Sequence, residues 1–97
     1  MKSYDKASWH IDGGEKVSDV VARFKTIFNF LADKKMLTPE GVETLDFGMD
    51  SSVSLNSNMV NPDGKAFLDR YYDFILSQNP TEIKKNLKEA YDKYTEK

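Results

Sequence analysis

A chain of 97 residues with 39% apolar and 12% aromatic side chains reads as one globular domain, 1–97, too short for a second core and too aromatic to be disordered. It has no cysteine, which excludes disulfides and thiolate zinc sites and points to a reducing cytoplasm. A net charge of −2 argues against recognition of a phosphate backbone, and no apolar run approaches the roughly 18 residues of a membrane helix, so neither nucleic acid nor membrane is an expected partner.

The charge is unevenly spread. Residues 40–76 hold seven acids against Lys65 and Arg70, while the remainder is net positive. An acidic middle can face a basic protein partner. The plainer reading is a solvated surface.

In chain order, the aromatic stretch 1–12 comes first and is expected to lie across the core of a helical bundle. Gly13 and Gly14 follow, a turn in the plain reading and a weak anion-binding signal in the functional one. From Glu15 to about Lys35, Val17, Val20, Val21, Phe24, Ile27, Phe28 and Leu31 recur in steps of three and four. That is an amphipathic helix with one buried face. Lys16, Asp19, Arg23, Lys25 and Asp33 mostly take the other faces, and Lys34 and Lys35 place cations where the helix dipole favours them. Thr38-Pro39-Glu40 starts a short helix to about Leu45, with Thr38 as N-cap and Val42 and Leu45 turned inward. Gly41 should weaken it by about 1 kcal/mol relative to Ala.

Leu45 and Phe47, then Val53 and Leu55, alternate with polar residues. The stretch 45–57 therefore reads either as a short β-hairpin across Gly48-Met49-Asp50 or as an ordered loop. Asn61-Pro62-Asp63-Gly64 is a turn and a helix entry together. Phe67, Leu68, Tyr71, Phe74 and Ile75 then share a helical face to about Ser77. A last helix opens at Asn79-Pro80-Thr81-Glu82, with Asn79 capping and Glu82 reaching back as in a capping box. It turns Ile83, Leu87, Ala90, Tyr91 and Tyr94 to one side. The expected fold is mainly α, a small single-domain bundle of three good helices plus one short helix.

The only His and the only Trp stand together in Tyr4-Asp5-Lys6-Ala7-Ser8-Trp9-His10-Ile11-Asp12. A catalytic reading makes His10 a general base oriented by Asp5 or Asp12, with Ser8 as nucleophile. The plainer reading has Trp9 capping the core and His10 bonded to a carbonyl or a carboxylate. His10, Asp12 and Asp5 match no established metal-ligand spacing, and Asp46, Asp50 and Asp63 lack the order of an EF-hand. No catalytic residue, metal or cofactor is expected. Phe30 and Tyr72 fall off the inward stripes of their helices, so they are either exposed or cover the N-terminal segment. An exposed ring beside acids makes a protein-binding anchor. The candidate binding residues are Trp9, His10, Asp12, Asp46, Asp50 and Tyr72.

The run from Tyr4 to His10, followed by Gly13-Gly14 and a helix with Phe30-Leu31 near its end, resembles an uncharacterised family of small bacterial cytoplasmic proteins. Members of that domain of unknown function open with Tyr-Asp-x-Ala-Ser-Trp-His. Leu55-Asn56, Asn61-Pro62-Asp63-Gly64, Phe67 and Tyr71-Tyr72 are similar to a second, looser pattern of the group. The resemblance implies no established activity. In size and character such proteins are similar to bacterial immunity proteins, which implies a binding role by analogy.

The leading expectation is a non-enzymatic protein-interaction module, immunity-like, that sets its acidic middle and exposed aromatics against a basic partner. A homodimer continuing the core across a two-fold axis is the next reading. A small ligand-binding protein or enzyme organised around Trp9, His10 and Asp12 is the last.

Overall fold

The computed structural model describes residues 2–77 and 79–96. Its elements run β1 (Ser3–Lys6), α1 (Ala7–Asp12), α2 (Val17–Asp33), α3 (Pro39–Phe47), β2 (Ser54–Asn56), α4 (Pro62–Ile75) and α5 (Pro80–Thr95). The fold is mainly α, as the apolar periodicity requires. Helix α2 lies at its centre and packs on α1, α3 and α5, while α5 also packs on α4. One cluster of buried side chains joins Val20, Phe24, Ile27, Phe28 and Leu31 of α2 to Phe67, Leu68 and Ile75 of α4 and to Ile83, Leu87 and Ala90 of α5. None of the described helices is long and apolar enough to cross a membrane.

Three helices start where capping chemistry places them. Thr38 Oγ1 accepts from the Gly41 N–H at 3.2 Å, and Asn61 Oδ1 accepts from the Gly64 N–H at 2.8 Å, each with proline in the first turn. Such a cap contributes about 1 kcal/mol. Asn79 Oδ1 accepts from the Thr81 N–H at 2.8 Å. Glu82 serves this cap by a relay rather than by reaching back directly. The Asn79 N–H donates to Ser77 Oγ at 3.2 Å, and the Ser77 hydroxyl donates to Glu82 at 2.7 Å.

The stretch 45–57 departs from a hairpin. Leu45 and Phe47 belong to the last turn of α3, because the start signal at Thr38 carries the helix through Phe47. Residues 54–56 do form a strand, but β2 pairs antiparallel with β1, setting Ser3 opposite Asn56, Asp5 opposite Leu55 and Lys6 opposite Ser54. A bulge interrupts the register between Ser3 and Asp5. Leu55 is fully buried, so β2 fixes the N-terminal segment against the core.

Helix α3 is also rotated from the expected setting. Its buried position is Gly41, and Val42 is left exposed while Leu45 packs partly against the core. A Cβ at Gly41 would run into the Met59 carbonyl oxygen and the Leu37 side chain. Glycine therefore lets α3 press onto the 58–60 backbone, where the Thr38 N–H and hydroxyl donate to the Met59 and Asn58 carbonyls at 2.9 and 2.7 Å. The low helix propensity of Gly41 is the cost of that approach. On α4 the inward stripe includes Tyr72 and excludes Phe74, which is exposed.

Candidate interaction surface

The N-terminal motif folds into an ionic clamp. Consecutive strand residues ordinarily point to opposite faces, but the bulge in β1 aims both Tyr4 and Asp5 at α4. The Tyr4 hydroxyl donates to Asp69 Oδ1 at 2.7 Å, and the Tyr72 hydroxyl donates to Asp5 Oδ2 at 2.6 Å. Asp5 is buried, and it also accepts from the Lys6 N–H at 2.9 Å and meets His10 Nε2 at 2.8 Å. Ala7, fully buried, starts α1 with its N–H on the Val53 carbonyl.

Gly13 and Gly14 then turn the chain back on itself. Gly14 takes φ +98, and the Glu15 N–H donates to the His10 carbonyl at 3.1 Å. This turn carries the Glu15 carboxylate to His10 Nδ1 at 3.1 Å and to Arg23 Nη2 at 2.8 Å. The Arg23 contact is an ion pair without hydrogen-bond direction at Nη2, while Nη1 donates to the Ser77 carbonyl at 3.2 Å. Asp5, His10, Glu15 and Arg23 thus follow one another in a chain of polar contacts. Both imidazole nitrogens face carboxylates, which only accept, so both contacts are hydrogen bonds only when His10 carries both protons.

This arrangement ties the N-terminal segment to α2 and α4. Each imidazole nitrogen already faces a carboxylate, Glu15 at Nδ1 and Asp5 at Nε2. Ser8 stands two positions from His10 on one helix, and such residues do not face each other. Burial together with the Asp5 charge raises the Tyr72 phenol well above its usual range. Burial and the bond to Asp69 raise that of Tyr4 likewise. The hydroxyl of Tyr4 in turn holds Asp69 below the usual carboxylate range, with Lys2 adding to the effect. Among the described residues no three His, Asp or Glu side chains converge to hold a metal ion.

The candidate binding residues separate into three settings. His10 and Tyr72 belong to the clamp, and Tyr72 covers the N-terminal segment instead of standing exposed, because its hydroxyl is needed on Asp5. Trp9 does not cap the core, since α1 turns it outward, where Lys6 Nζ lies 5.7 Å from its ring. Asp12 is exposed at the end of α1. Asp46 and Asp50 lie on and just beyond α3. Asp50 accepts from the Ser52 hydroxyl and N–H, which hold it below the usual carboxylate range.

Four residues of the clamp, Tyr4, Glu15, Arg23 and Asp69, stand outside the sequence-derived candidates. Arg23 shares the helical face of Val20, Phe24 and Ile27 and is buried, contrary to its expected outward setting. A charge on a buried stripe demands a partner, and that is the signal that could have found it.

The outer face of α3 is the opposite case. Phe47 is 92% exposed, and with Val42, Leu37 and Pro39 it lines a shallow groove whose remaining wall is Glu43 and Asp46. No Lys or Arg occurs between Lys35 and Lys65. No ion pair among the described residues reaches Glu40, Glu43 or Asp46. Among the described residues three aromatic rings are exposed, those of Trp9, Phe47 and Phe74. Lys6 covers the first and Lys93, at 5.2 Å, covers the third. Phe47 alone of these has no cation of the described residues over it.

No family model matches the chain, and neither a curated protein nor a solved structure does. The geometry alone therefore speaks for the site.

Proposed function

We propose that this chain is a non-enzymatic protein-interaction module of a bacterial cytoplasm, immunity-like in kind, that binds a basic partner through the outer face of α3. The observation that carries this reading is Phe47, a large apolar side chain left almost wholly in water among acids that have no cation of their own. Exposed apolar area within a charged rim is the usual make-up of a binding patch. Unpaired carboxylates around it would speed encounter with a basic surface and repel acidic ones. The motif resemblance to small bacterial proteins agrees with such a role by analogy only.

A photo-reactive residue placed at position 47 in the native cell tests this. It should yield a discrete adduct with a basic protein that fades as salt rises, whereas the same residue at position 88, on the outer face of α5, should not. Equal labelling from both positions, or none from 47, would count against the reading. A histidine-centred enzyme is less well supported, because both nitrogens of His10 are already held.

A further inference from the structure

We infer that the occupant of the α3 groove is a basic amphipathic helix that lays an apolar stripe on Val42 and Phe47 and sets a Lys or Arg over the Phe47 ring. This inference rests on the interaction reading and adds the shape and chemistry of the partner. Three observations lead to it. First, the molecule sets its own cations over its two other exposed rings and over several partly buried ones: Lys6 lies over Trp9 and Lys93 over Phe74, Lys2 over Tyr4, Lys34 over Phe30 and Tyr91, and Arg70 over Tyr71. Among the described residues no cation lies over Phe47, which sits in a stretch without any Lys or Arg. A cation supplied from outside would gain the face of the ring together with Glu43 and Asp46 beside it.

Second, the groove follows a helix. Pro39, Val42 and Asp46 succeed one another along one side of α3, and Glu43 and Phe47 stand four apart beside them. Over nine residues α3 is roughly 13 Å long, at 1.5 Å of rise per residue. That length accepts about two turns of a partner helix, whose apolar residues at i and i+4 would meet the strip while flanking bases meet the acids. Third, charge disfavours a second copy seated face to face. Two α3 faces would bring Glu40, Glu43 and Asp46 against their own counterparts with no base between them.

The test uses three synthetic peptides of equal length added to the isotope-labelled full chain and followed by amide chemical shifts. One is a helical Lys/Leu amphipath, one its Glu/Leu counterpart, and one the Lys/Leu sequence broken by a central proline. The Lys/Leu helix should shift amides of residues 39–48, with affinity falling as salt rises, and the other two should leave them in place. Phe47→Ser should weaken binding about tenfold, and Phe47→Leu, which keeps an apolar side chain but removes the ring face, about threefold. Trp9→Ser, which removes an exposed ring of α1 that does not line the groove, should change nothing. Equal binding of the proline-broken peptide, shifts centred on α5 or Trp9, or a concentration-dependent dimer abolished by Phe47→Ser would each overturn the inference. A discrete cellular adduct at position 47 without peptide binding would reject the helix while keeping the interaction module. Failure of both would reject the two together.

Discussion

The N-terminal segment and the outer face of α3 are built from the same kinds of residue, aromatic rings among carboxylates, yet they end in opposite states. In the first, Asp5 and Glu15 are matched by His10 and Arg23, and the rings of Tyr4 and Tyr72 donate to acids. In the second, no ion pair among the described residues reaches Glu40, Glu43 or Asp46, and no described cation covers Phe47. Burial decides between them. A buried charge without a partner costs several kcal/mol, so the clamp has to be complete. An exposed acid costs little to leave alone, so the α3 face can stay open for another molecule. Composition does not tell a closed clamp from an open face; the supply of partners does.

The contrast can be broken most forcefully at Asp5. Asp5→Ala leaves the Tyr72 hydroxyl and His10 Nε2 without this acceptor and should lower stability by about 3–5 kcal/mol, the cost of orphaning two polar groups at a buried site. Thermal melting by circular dichroism measures it, and a loss below about 1 kcal/mol would show that the clamp is not structural.

Tyr72→Phe is a milder cut at the same place. It removes one hydrogen bond to a charged acceptor and should cost about 1.5–3 kcal/mol. The phenols also set a pH limit. Tyr72 and Tyr4 hold their protons more tightly in the fold than in the unfolded chain, where a tyrosine titrates near 10. Their contribution is therefore complete below about pH 10 and is lost as pH climbs above it. Tyrosinate absorbance and loss of helicity should rise together in wild type, and Tyr72→Phe should flatten that alkaline limb.

Gly41→Ala probes the inner side of α3. Intrinsic propensity favours alanine by about 1 kcal/mol, but the added carbon meets the Met59 carbonyl. Destabilisation of about 1–2 kcal/mol is expected from the clash, read as a lower urea midpoint. The smallest effect belongs to the outer side. Phe47→Ser should stay within about 0.5 kcal/mol of wild type, as substitutions of unpacked surface residues do. A large loss of stability there would mean that Phe47 packs in solution and is not free to bind.

Much of the helical frame is legible in the chain, because the signals that start helices are local. Thr38, Asn61 and Asn79 each cap through a side chain two or three residues from its donor. Strand β2 is half legible. The alternation of Val53 and Leu55 announces an extended segment, but its partner lies half the chain away, and no local pattern names it. The setting of α3 is hidden for a similar reason: the backbone at Met59, distant in sequence, decides that Gly41 faces in and Val42 faces out. The carboxylate partner of His10 is within reach of a reading from residues, since Asp5 stands close by. Glu15 is not, because it depends on the left-handed turn at Gly14. The isolation of Phe47 becomes visible only when the other exposed rings are seen to carry lysines.

The pairing of β1 with β2 has a consequence for the order of assembly. On the ribosome, residues 3–6 emerge long before residues 54–56 and before Tyr72, the groups against which they settle. Residues 3–6 must stay undocked until α4 exists, and closing so long a loop slows folding relative to a helix-only bundle of equal size. The β1–β2 contact is thus of high sequence separation, unlike the local contacts that start each helix.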